Sequence, residues 1–364
     1  MKKITQRQLI IFYCIYSFAI KFLLLPQLLT RGAANDAWIA ALAGTIIELF
    51  ILWVVLQILT KNKDNDIFSI PSTSERGRLY ANFMRRIPLL LMLFIFLLQL
   101  MILTKQSFYL LSENMFENLP PYMFIVPMLM LGVYFCFTSS NSLFRSGEIF
   151  YAFLILGLIV SVLPAFTQIN AREALPLFSA GLSPVLTTAL ATLIYFESAS
   201  FLLMFSGEVK IEKNFQKKFM TTAAIVGAFF VFFVFMFWSL FLGVSSSKNV
   251  AVANMTGYSS VMAQGGRTGW ILVSIWLLLL LLRFGVTFFC AFKSIKYITG
   301  VKKRTGIISV SLAIFIFLLS SHVFTGMREM QLFIENIRWI ILALYLIIPL
   351  LFFIATKRKG GKHV

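Results

Sequence analysis

The sequence predicts an all-α integral membrane protein. Hydrophobic residues make up 59% of the 364 positions and charged residues only 13%, and the mean hydropathy is +0.88. A soluble protein of this composition would expose far too much apolar surface to water. The apolar residues form long continuous runs, whereas the strands of a membrane barrel would alternate apolar and polar residues. The sequence therefore favours membrane-spanning helices.

Ten of the apolar runs reach or approach the length of about 20 residues that an α-helix needs to cross a bilayer. The predicted spans are approximately residues 8–29, 37–60, 87–111, 120–138, 146–166, 183–206, 219–242, 269–292, 305–322 and 331–356. We expect them to form a single transmembrane domain over residues 1–364, with a first half at about 8–166 and a second half at about 183–356.

The basic residues predict how the chain is oriented. If the N-terminus lies inside, the inner segments hold 23 Lys and Arg residues and the outer loops hold only five. Lys and Arg are enriched in the cytoplasmic segments of membrane proteins. Both termini are therefore predicted to be cytoplasmic. The net charge of +18 follows from the same asymmetry, and its distribution argues against nucleic-acid binding.

The ten spans divide into five plus five, and an odd number of spans per half inverts the second half relative to the first. Inverted repeats build many secondary transporters, whose binding site lies near the midplane between interrupted helices. Span one contains Lys21 and Pro26, and span six contains Glu197 followed by small residues. The sequence thus predicts a five-plus-five inverted repeat in which helices one and six are broken.

Four ionisable residues lie deep within predicted spans, namely Lys21, Glu48, Glu197 and Arg283. Such residues are expensive in a bilayer and mark a functional site or an ion pair. Glu197 either accepts a ligand ammonium, takes part in proton coupling, or pairs permanently with Lys21 or Arg283. Arg283 cannot lose its proton, so it needs a partner such as Glu197 or Glu48. The alternative for Lys21 is a side chain that snorkels, so that its ammonium group reaches the membrane surface. The alternative for Glu48 is a protonated, hydrogen-bonded carboxyl group.

Polar and small residues surround Glu197. Tyr195, Ser198 and Ser200 would line the opening if the helix unwinds there, and otherwise the small residues would serve helix packing. The predicted ligand-binding or coupling residues are Lys21, Glu48, Tyr195, Glu197, Ser198, Ser200 and Arg283.

Enzymatic function is not expected. A membrane enzyme would need clustered His, Asp or Glu at a membrane face, and the chain has two histidines, His322 and His363. Its three cysteines lie in apolar runs and are expected to act as small hydrophobic residues. Their spacing matches no metal site or disulfide framework, so we predict no catalytic residue, metal ion or cofactor.

Several short stretches resemble the spore-germination B-subunit family, the transporter-like subunits of germinant receptors within the amino acid–polyamine–organocation superfamily. The matching stretches are Thr5-Gln6-Arg7-Gln8-Leu9, Leu25-Pro26, Trp38-Ile39-Ala40, Phe196-Glu197 and Glu208-Val209-Lys210. The family usually has a Gly-rich break just before the Leu-Pro pair. This chain has Phe18-Ala19-Ile20-Lys21-Phe22 there, and therefore offers a cation in place of exposed backbone N–H groups.

The resemblance implies a ten-helix inverted-repeat fold and a receptor subunit that senses a small nutrient, such as an amino acid, during spore germination. Its implied partners are two other receptor subunits, and its implied location is the spore inner membrane or the cell membrane. The alternative is a secondary transporter that moves an amino acid or amine by proton coupling through Glu197. The residues alone leave both functions open.

Overall fold

The protein is all-helical in the parts of the chain that its structure, a computed structural model, describes. The described residues are 3–62, 67–68, 75–114, 120–166, 178–179, 181–241, 268–301, 305–322 and 327–357. Each predicted span overlaps one helix or a run of short helices. The prediction of an all-α protein is therefore confirmed for these residues.

The helices follow the order of the predicted spans. The first half contains α1 (Gln6–Ala33), α2 (Ala37–Lys61), α3 (Glu75–Asn114), α4 (Pro121–Phe137) and α5 (Ser140–Phe166). The second half contains α6 (Leu182–Ala191), α7 (Leu193–Phe196), α8 (Ser200–Leu203), α9 (Phe215–Phe241), α10 (Thr268–Thr299), α11 (Thr305–His322), α12 (Met327–Asn336) and α13 (Arg338–Lys357).

Several helices are long and apolar enough to cross a membrane. Among the described residues, five helical stretches meet this condition, and the first of them, Gln6–Lys61, joins α1 and α2 over 56 residues. The pair α12 and α13, bent by 58°, makes a sixth if it counts as one span. Three further apolar helices are shorter: Pro121–Phe137, Leu182–Ala191 and Thr305–Ser321. The count of ten spans stays a prediction.

Helix α1 lies at the centre of the bundle. Thr5 and Gln8 form a capping box at its start, in which each side chain bonds the other residue's backbone N–H. Every residue from Phe12 to Gln27 is buried, which is typical of a helix surrounded on all sides. Its neighbours include α2, α5, α6, α7, α9 and α10. Polar side chains of α1 therefore have to find their partners inside the protein.

The predicted break in helix one is wrong. Helix α1 is continuous from Gln6 to Ala33, and Pro26 lies inside it. The physical reason is that the stretch before Pro26 has no glycine and packs on every side, so the surrounding helices hold it in helical form. Proline inside a membrane helix is tolerated where neighbouring groups compensate for the missing N–H.

The predicted break in helix six is confirmed. Helix α6 ends at Ala191, α7 is a single turn that ends at Phe196, and α8 begins only at Ser200. Glu197 has an extended backbone, with φ −71° and ψ 105°. All the residues of α7 and α8 are buried, so the interruption, residues 197–199, opens backbone groups inside the protein. We call this segment the α7–α8 break.

The segment before α1 forms backbone hydrogen bonds with the segment that follows α8. Ile4 forms an isolated parallel bridge, in which its N–H donates to Glu208 O and Lys210 N–H donates to its carbonyl, both at 2.9 Å. The Lys293 Nζ atom of α10 donates to Glu208 Oε1 at 2.6 Å and to Met204 O at 2.5 Å. These contacts join α1, α8 and α10 at one end of the bundle.

Helices α2 and α9 pack closely because α9 has a glycine at the contact. A Cβ atom added at Gly227 would lie 2.4 Å from Thr45 Cγ2, well inside van der Waals contact. Thr45 is buried and its β-branched side chain is stiff. The close approach therefore depends on glycine at this position.

We expect Gly227→Ala to destabilise the protein by about 1–3 kcal/mol, because the added methyl group overpacks the contact with Thr45. Thermal unfolding of the purified protein in detergent measures the effect. Gly306→Ala is the matched control, since a Cβ atom there meets only Phe137 Cζ at 3.7 Å. An unchanged melting temperature in Gly227→Ala would contradict the proposed packing.

Candidate functional site

All but one of the polar side chains predicted from the sequence meet around the α7–α8 break. Helices α1, α2, α3 and α10 contribute to this group, together with the break itself. Lys21, Glu48, Glu197 and Arg283 are all buried, each with 5% or less of its surface exposed. We call this group, with its hydrogen-bonded neighbours, the central cluster.

The Glu197 carboxylate is held by two neutral donors. Its Oε1 accepts the backbone N–H of Ser200 at 2.6 Å. This N–H, at the start of α8, has no acceptor within the helix and is satisfied by the carboxylate. Its Oε2 accepts from Gln99 Nε2 of α3 at 2.5 Å. The carboxylate thus stabilises the break while no side-chain cation contacts it at salt-bridge distance among the described residues.

Arg283 joins helix α1 to the break. One of its amino groups, Nη1, donates to the backbone carbonyl of Tyr16, and the other, Nη2, donates to the backbone carbonyl of Glu197 at 3.3 Å. Its guanidinium also lies 4.1 Å from the centre of the Tyr16 ring. The break frees the Glu197 carbonyl from a regular helix, and a buried carbonyl without a donor would be costly.

A second connection between Arg283 and Glu197 runs through the side chain of Tyr16, the residue whose backbone carbonyl Arg283 contacts. The Tyr16 hydroxyl donates to Gln99 Oε1 at 2.8 Å and lies 3.1 Å from Thr287 Oγ1. Because the Gln99 amide accepts from Tyr16 and donates to Glu197, its orientation is fixed at both ends. The Nε atom of Arg283 is buried and has no hydrogen-bond partner among the described residues.

Lys21 and Glu48 form a buried ion pair, in which Lys21 Nζ contacts Glu48 Oε2. Ser198 Oγ and Tyr13 OH donate to the other carboxylate oxygen, Oε1, the tyrosine at 3.5 Å. The ammonium group also lies 5.3 Å from the centre of the Phe196 ring, within the range of a cation–π contact. Glu48 therefore has one charged and two neutral partners.

The structure corrects the predicted pairing of the charges. Lys21 pairs with Glu48 rather than with Glu197, and it does not snorkel, since only 1% of its surface is exposed. Arg283 contacts the backbone carbonyl of Glu197 rather than its carboxylate. The reason is geometric, because α2 packs directly on α1 and brings Glu48 to Lys21, and the carbonyls opened by the break satisfy Arg283.

The three residues that flank Glu197 lie in different surroundings. Ser198 belongs to the central cluster through Glu48, and Ser200 contributes its backbone N–H to Glu197. Tyr195 lies outside the cluster, in a separate pocket that Thr192 also lines. The prediction grouped it with the others because the single turn of α7 is not visible in the sequence.

Sequence reasoning missed four members of the cluster: Tyr13, Tyr16, Gln99 and Thr287. Gln99 carried a usable signal, because it is one of two amides, with Gln106, in the apolar span predicted over residues 87–111. The two tyrosines and the threonine carried none, since such residues are common in membrane helices and only their packing gives them a role.

The space at the break is small. A cavity of about 10 Å³ is lined by residues that include Glu48, Phe196, Glu197, Ser198 and Tyr345. This is room for about one water molecule. The Tyr345 hydroxyl donates to the Ile194 carbonyl at 3.4 Å and so holds α7 from the side of α13. In this conformation the break is closed around its own side chains, and a larger molecule requires rearrangement.

Comparison with solved structures shows which known fold the chain resembles. The crystal structure of MhsT in complex with L-phenylalanine is similar, with a TM-score of 0.63 and 12% identity over 97% of this chain and 89% of that one. A variant of the manganese transporter from Eremococcus coleocola has a TM-score of 0.55 and 12% identity over 94% and 78%. The chain therefore has a fold similar to that of these two proteins.

The particular family follows from the sequence. The family model described as spore germination protein matches residues 3–325, which is most of the chain. The protein therefore belongs to the spore germination protein family, as its resemblance to the B-subunits indicated. A comparison with curated protein sequences gives no match.

We expect Lys21→Met to destabilise the protein by about 3–5 kcal/mol, because it leaves the buried Glu48 carboxylate without its cation. Adding Glu48→Gln should recover most of this loss, since both charges are then absent from the interior. Heating purified samples and measuring the remaining monodisperse protein tests both variants. A double variant that is as unstable as Lys21→Met alone would show that the ion pair is not the cause.

Proposed function

We propose that this protein is the membrane-embedded sensing subunit of a spore germinant receptor and binds an amino acid at the α7–α8 break. The observation that carries this proposal is the state of Glu197. Its carboxylate lies at an interrupted helix, borders a cavity and is held by the neutral donors Gln99 and Ser200 N–H. A ligand ammonium group is a stronger partner for a carboxylate than either of these.

The charges of the central cluster support a zwitterionic ligand. Two cations, Lys21 and Arg283, balance two carboxylates, Glu48 and Glu197, so an added ligand without net charge leaves the interior neutral. Glu48 is already paired with Lys21, which leaves Glu197 for the ammonium. The buried Nε–H of Arg283, unpaired among the described residues, and the backbone groups of the break are suited to the ligand carboxylate.

The structural comparisons add support of a general kind. MhsT was crystallised with L-phenylalanine, and an Eremococcus coleocola manganese transporter was crystallised with an aromatic bis-isothiourea compound (TM-score 0.54, 11% identity). Proteins of this fold therefore hold small organic molecules. At such low identity the likeness supports the fold alone, and the ligand class proposed for this chain depends on its own cluster.

The closed cavity agrees with a receptor that changes conformation when it binds. The space of about 10 Å³ excludes an amino acid, so binding requires a second conformation in which Phe196 or Tyr345 moves away from the break. A ligand shifts such an equilibrium only by its difference in affinity for the two states. The joined ends of α1, α8 and α10 would transmit the change to partner subunits.

We also propose the following topology. Residues 1–364 form a single transmembrane domain with ten spans arranged as a five-plus-five inverted repeat. The sixth span is broken, and the tenth is bent by 58° between α12 and α13. Both termini are cytoplasmic, in agreement with the positive-inside distribution of Lys and Arg. The protein resides in the spore inner membrane or the cell membrane, where it assembles with other germinant-receptor subunits.

We expect Glu197→Gln to weaken amino-acid binding at least about tenfold, equivalent to about 1.4 kcal/mol. The neutral amide cannot form an ion pair with the ligand ammonium group. The purified chain is screened against the twenty protein amino acids by thermal shift, and the affinity of each hit is measured by calorimetry. Glu148→Gln, the same change at an exposed carboxylate of α5, should leave the affinity unchanged.

Two outcomes would contradict the proposed site. One is unchanged affinity in Glu197→Gln, provided that the variant remains monodisperse. The other is an equal loss in Glu197→Gln and Glu148→Gln, which would indicate a general effect of charge.

The second candidate function is proton-coupled transport of an amino acid or amine through Glu197. The transporter fold and the ionisable carboxylate at the break favour it. Proteoliposomes with the purified chain distinguish the two functions. We expect binding without sustained uptake of labelled amino acid, and improved stability on co-expression with partner subunits. Sustained uptake that Glu197→Gln abolishes would favour the transporter and contradict the receptor.

A further inference from the structure

A second, larger cavity lies at the C-terminal end of α1, between α1, α6, α7 and α12. Its volume is about 150 Å³, against about 10 Å³ at the break. If each non-hydrogen atom of a ligand takes about the space of one water molecule, the cavity holds about ten such atoms. Its polar lining residues are Arg31, Thr188, Thr192, Tyr195, Gln331 and Glu335. We call it the Arg31–Glu335 pocket.

The pocket contains one cation and one anion. Arg31 extends from the last turn of α1, and Glu335 from the last turn of α12. Arg31 Nη1 donates to Gln331 Oε1 at 3.4 Å, so the two side chains lie side by side in the pocket. The other end of the same amide, Gln331 Nε2, is buried without a hydrogen-bond partner within the described part of the chain.

The remaining surface is apolar or weakly polar. Leu28 of α1 and Ile334 of α12 both line it, and Ile334 is buried. The Thr192 hydroxyl donates to the Thr188 carbonyl at 2.9 Å, so its oxygen remains able to accept a hydrogen bond. The pocket therefore combines an apolar surface with two opposite charges, the arrangement that a small amphiphilic zwitterion requires.

We propose that the Arg31–Glu335 pocket is an amino-acid binding site separate from the central cluster. The ligand carboxylate binds the guanidinium of Arg31, which suits it as a planar pair of donors, and the Gln331 amide. The ammonium group binds Glu335, and an aliphatic side chain of a few carbon atoms packs between Leu28 and Ile334. This site exists whether Glu197 binds a ligand or only stabilises the break.

The position of the pocket gives the site a role. Tyr195 lines it, and the next residue, Phe196, lines the cavity at the break. The single turn of α7 therefore separates the two spaces, and the Tyr345 hydroxyl holds this turn at the Ile194 carbonyl. An amino acid in the pocket contacts the element that must move before the break can open.

Cysteine labelling of the full-length purified chain tests the proposal. Ala191→Cys places a thiol in the pocket, because Ala191 lines it without being one of the proposed ligand contacts. Leu332→Cys places a thiol on the outward side of α12, where Leu332 is 50% exposed. The native cysteines Cys14, Cys136 and Cys290 are buried, and the unmodified protein gives the background rate. A maleimide reagent is added with and without each of the twenty protein amino acids.

We expect at least one aliphatic amino acid to slow labelling of Ala191→Cys about tenfold and to leave Leu332→Cys unchanged. Arg31→Gln or Glu335→Gln in the same background should remove the protection. For L-leucine, the one-charge analogues 4-methylpentanoate and 3-methylbutylamine should protect much less than the amino acid. Size-exclusion chromatography shows whether each variant is still folded.

Three results would overturn this inference. The first is that no amino acid protects Ala191→Cys. The second is that protection is equal at both cysteines or survives Arg31→Gln and Glu335→Gln. The third is that protection disappears only with Glu197→Gln, which would place the bound ligand at the central cluster and support the proposed function without the second site.

Discussion

The guanidinium of Arg283 is the interaction on which the interior of this protein depends. It donates to the Tyr16 carbonyl of α1 and to the Glu197 carbonyl of the α7–α8 break. An open carbonyl inside a membrane protein needs a donor, and a fixed cation there needs acceptors. Each requirement satisfies the other, so a helix can be interrupted in the middle of the bundle. Without this cation, the chain would have to close the break into a regular helix or admit water.

The other three charges of the central cluster divide into a structural pair and a carboxylate with neutral partners. Lys21 and Glu48 neutralise one another and are supported by Ser198 and Tyr13. Glu197 is held by an amide and a backbone N–H. A buried ion pair contributes little net stability but is costly to disrupt on one side. This arrangement keeps most of the charge fixed and leaves a single group whose partners a cationic ligand can replace.

The sequence predicts the four charges of the central cluster, because each stands out within an apolar run. It also predicts the break at Glu197, where a carboxylate and small hydroxylated residues interrupt such a run. It does not predict the pairing, since this depends on how far each helix rotates about its axis. Nor does it predict that α1 stays helical through Pro26. The packing of the surrounding helices outweighs the tendency of proline to interrupt a helix. Gln99 shows the same limit, as its function comes from contacts at both ends of one amide.

The pairing of Lys21 with Glu48 has a consequence for how the protein is made. The two residues are 27 positions apart, on consecutive helices that pack together. A hairpin of α1 and α2 can therefore enter the bilayer with its two buried charges already neutralised. Arg283 is synthesised long afterwards, and its acceptors on α1 and at the break are by then in the membrane. The order of the helices along the chain thus spares the growing protein a prolonged exposure of unpaired charge to lipid.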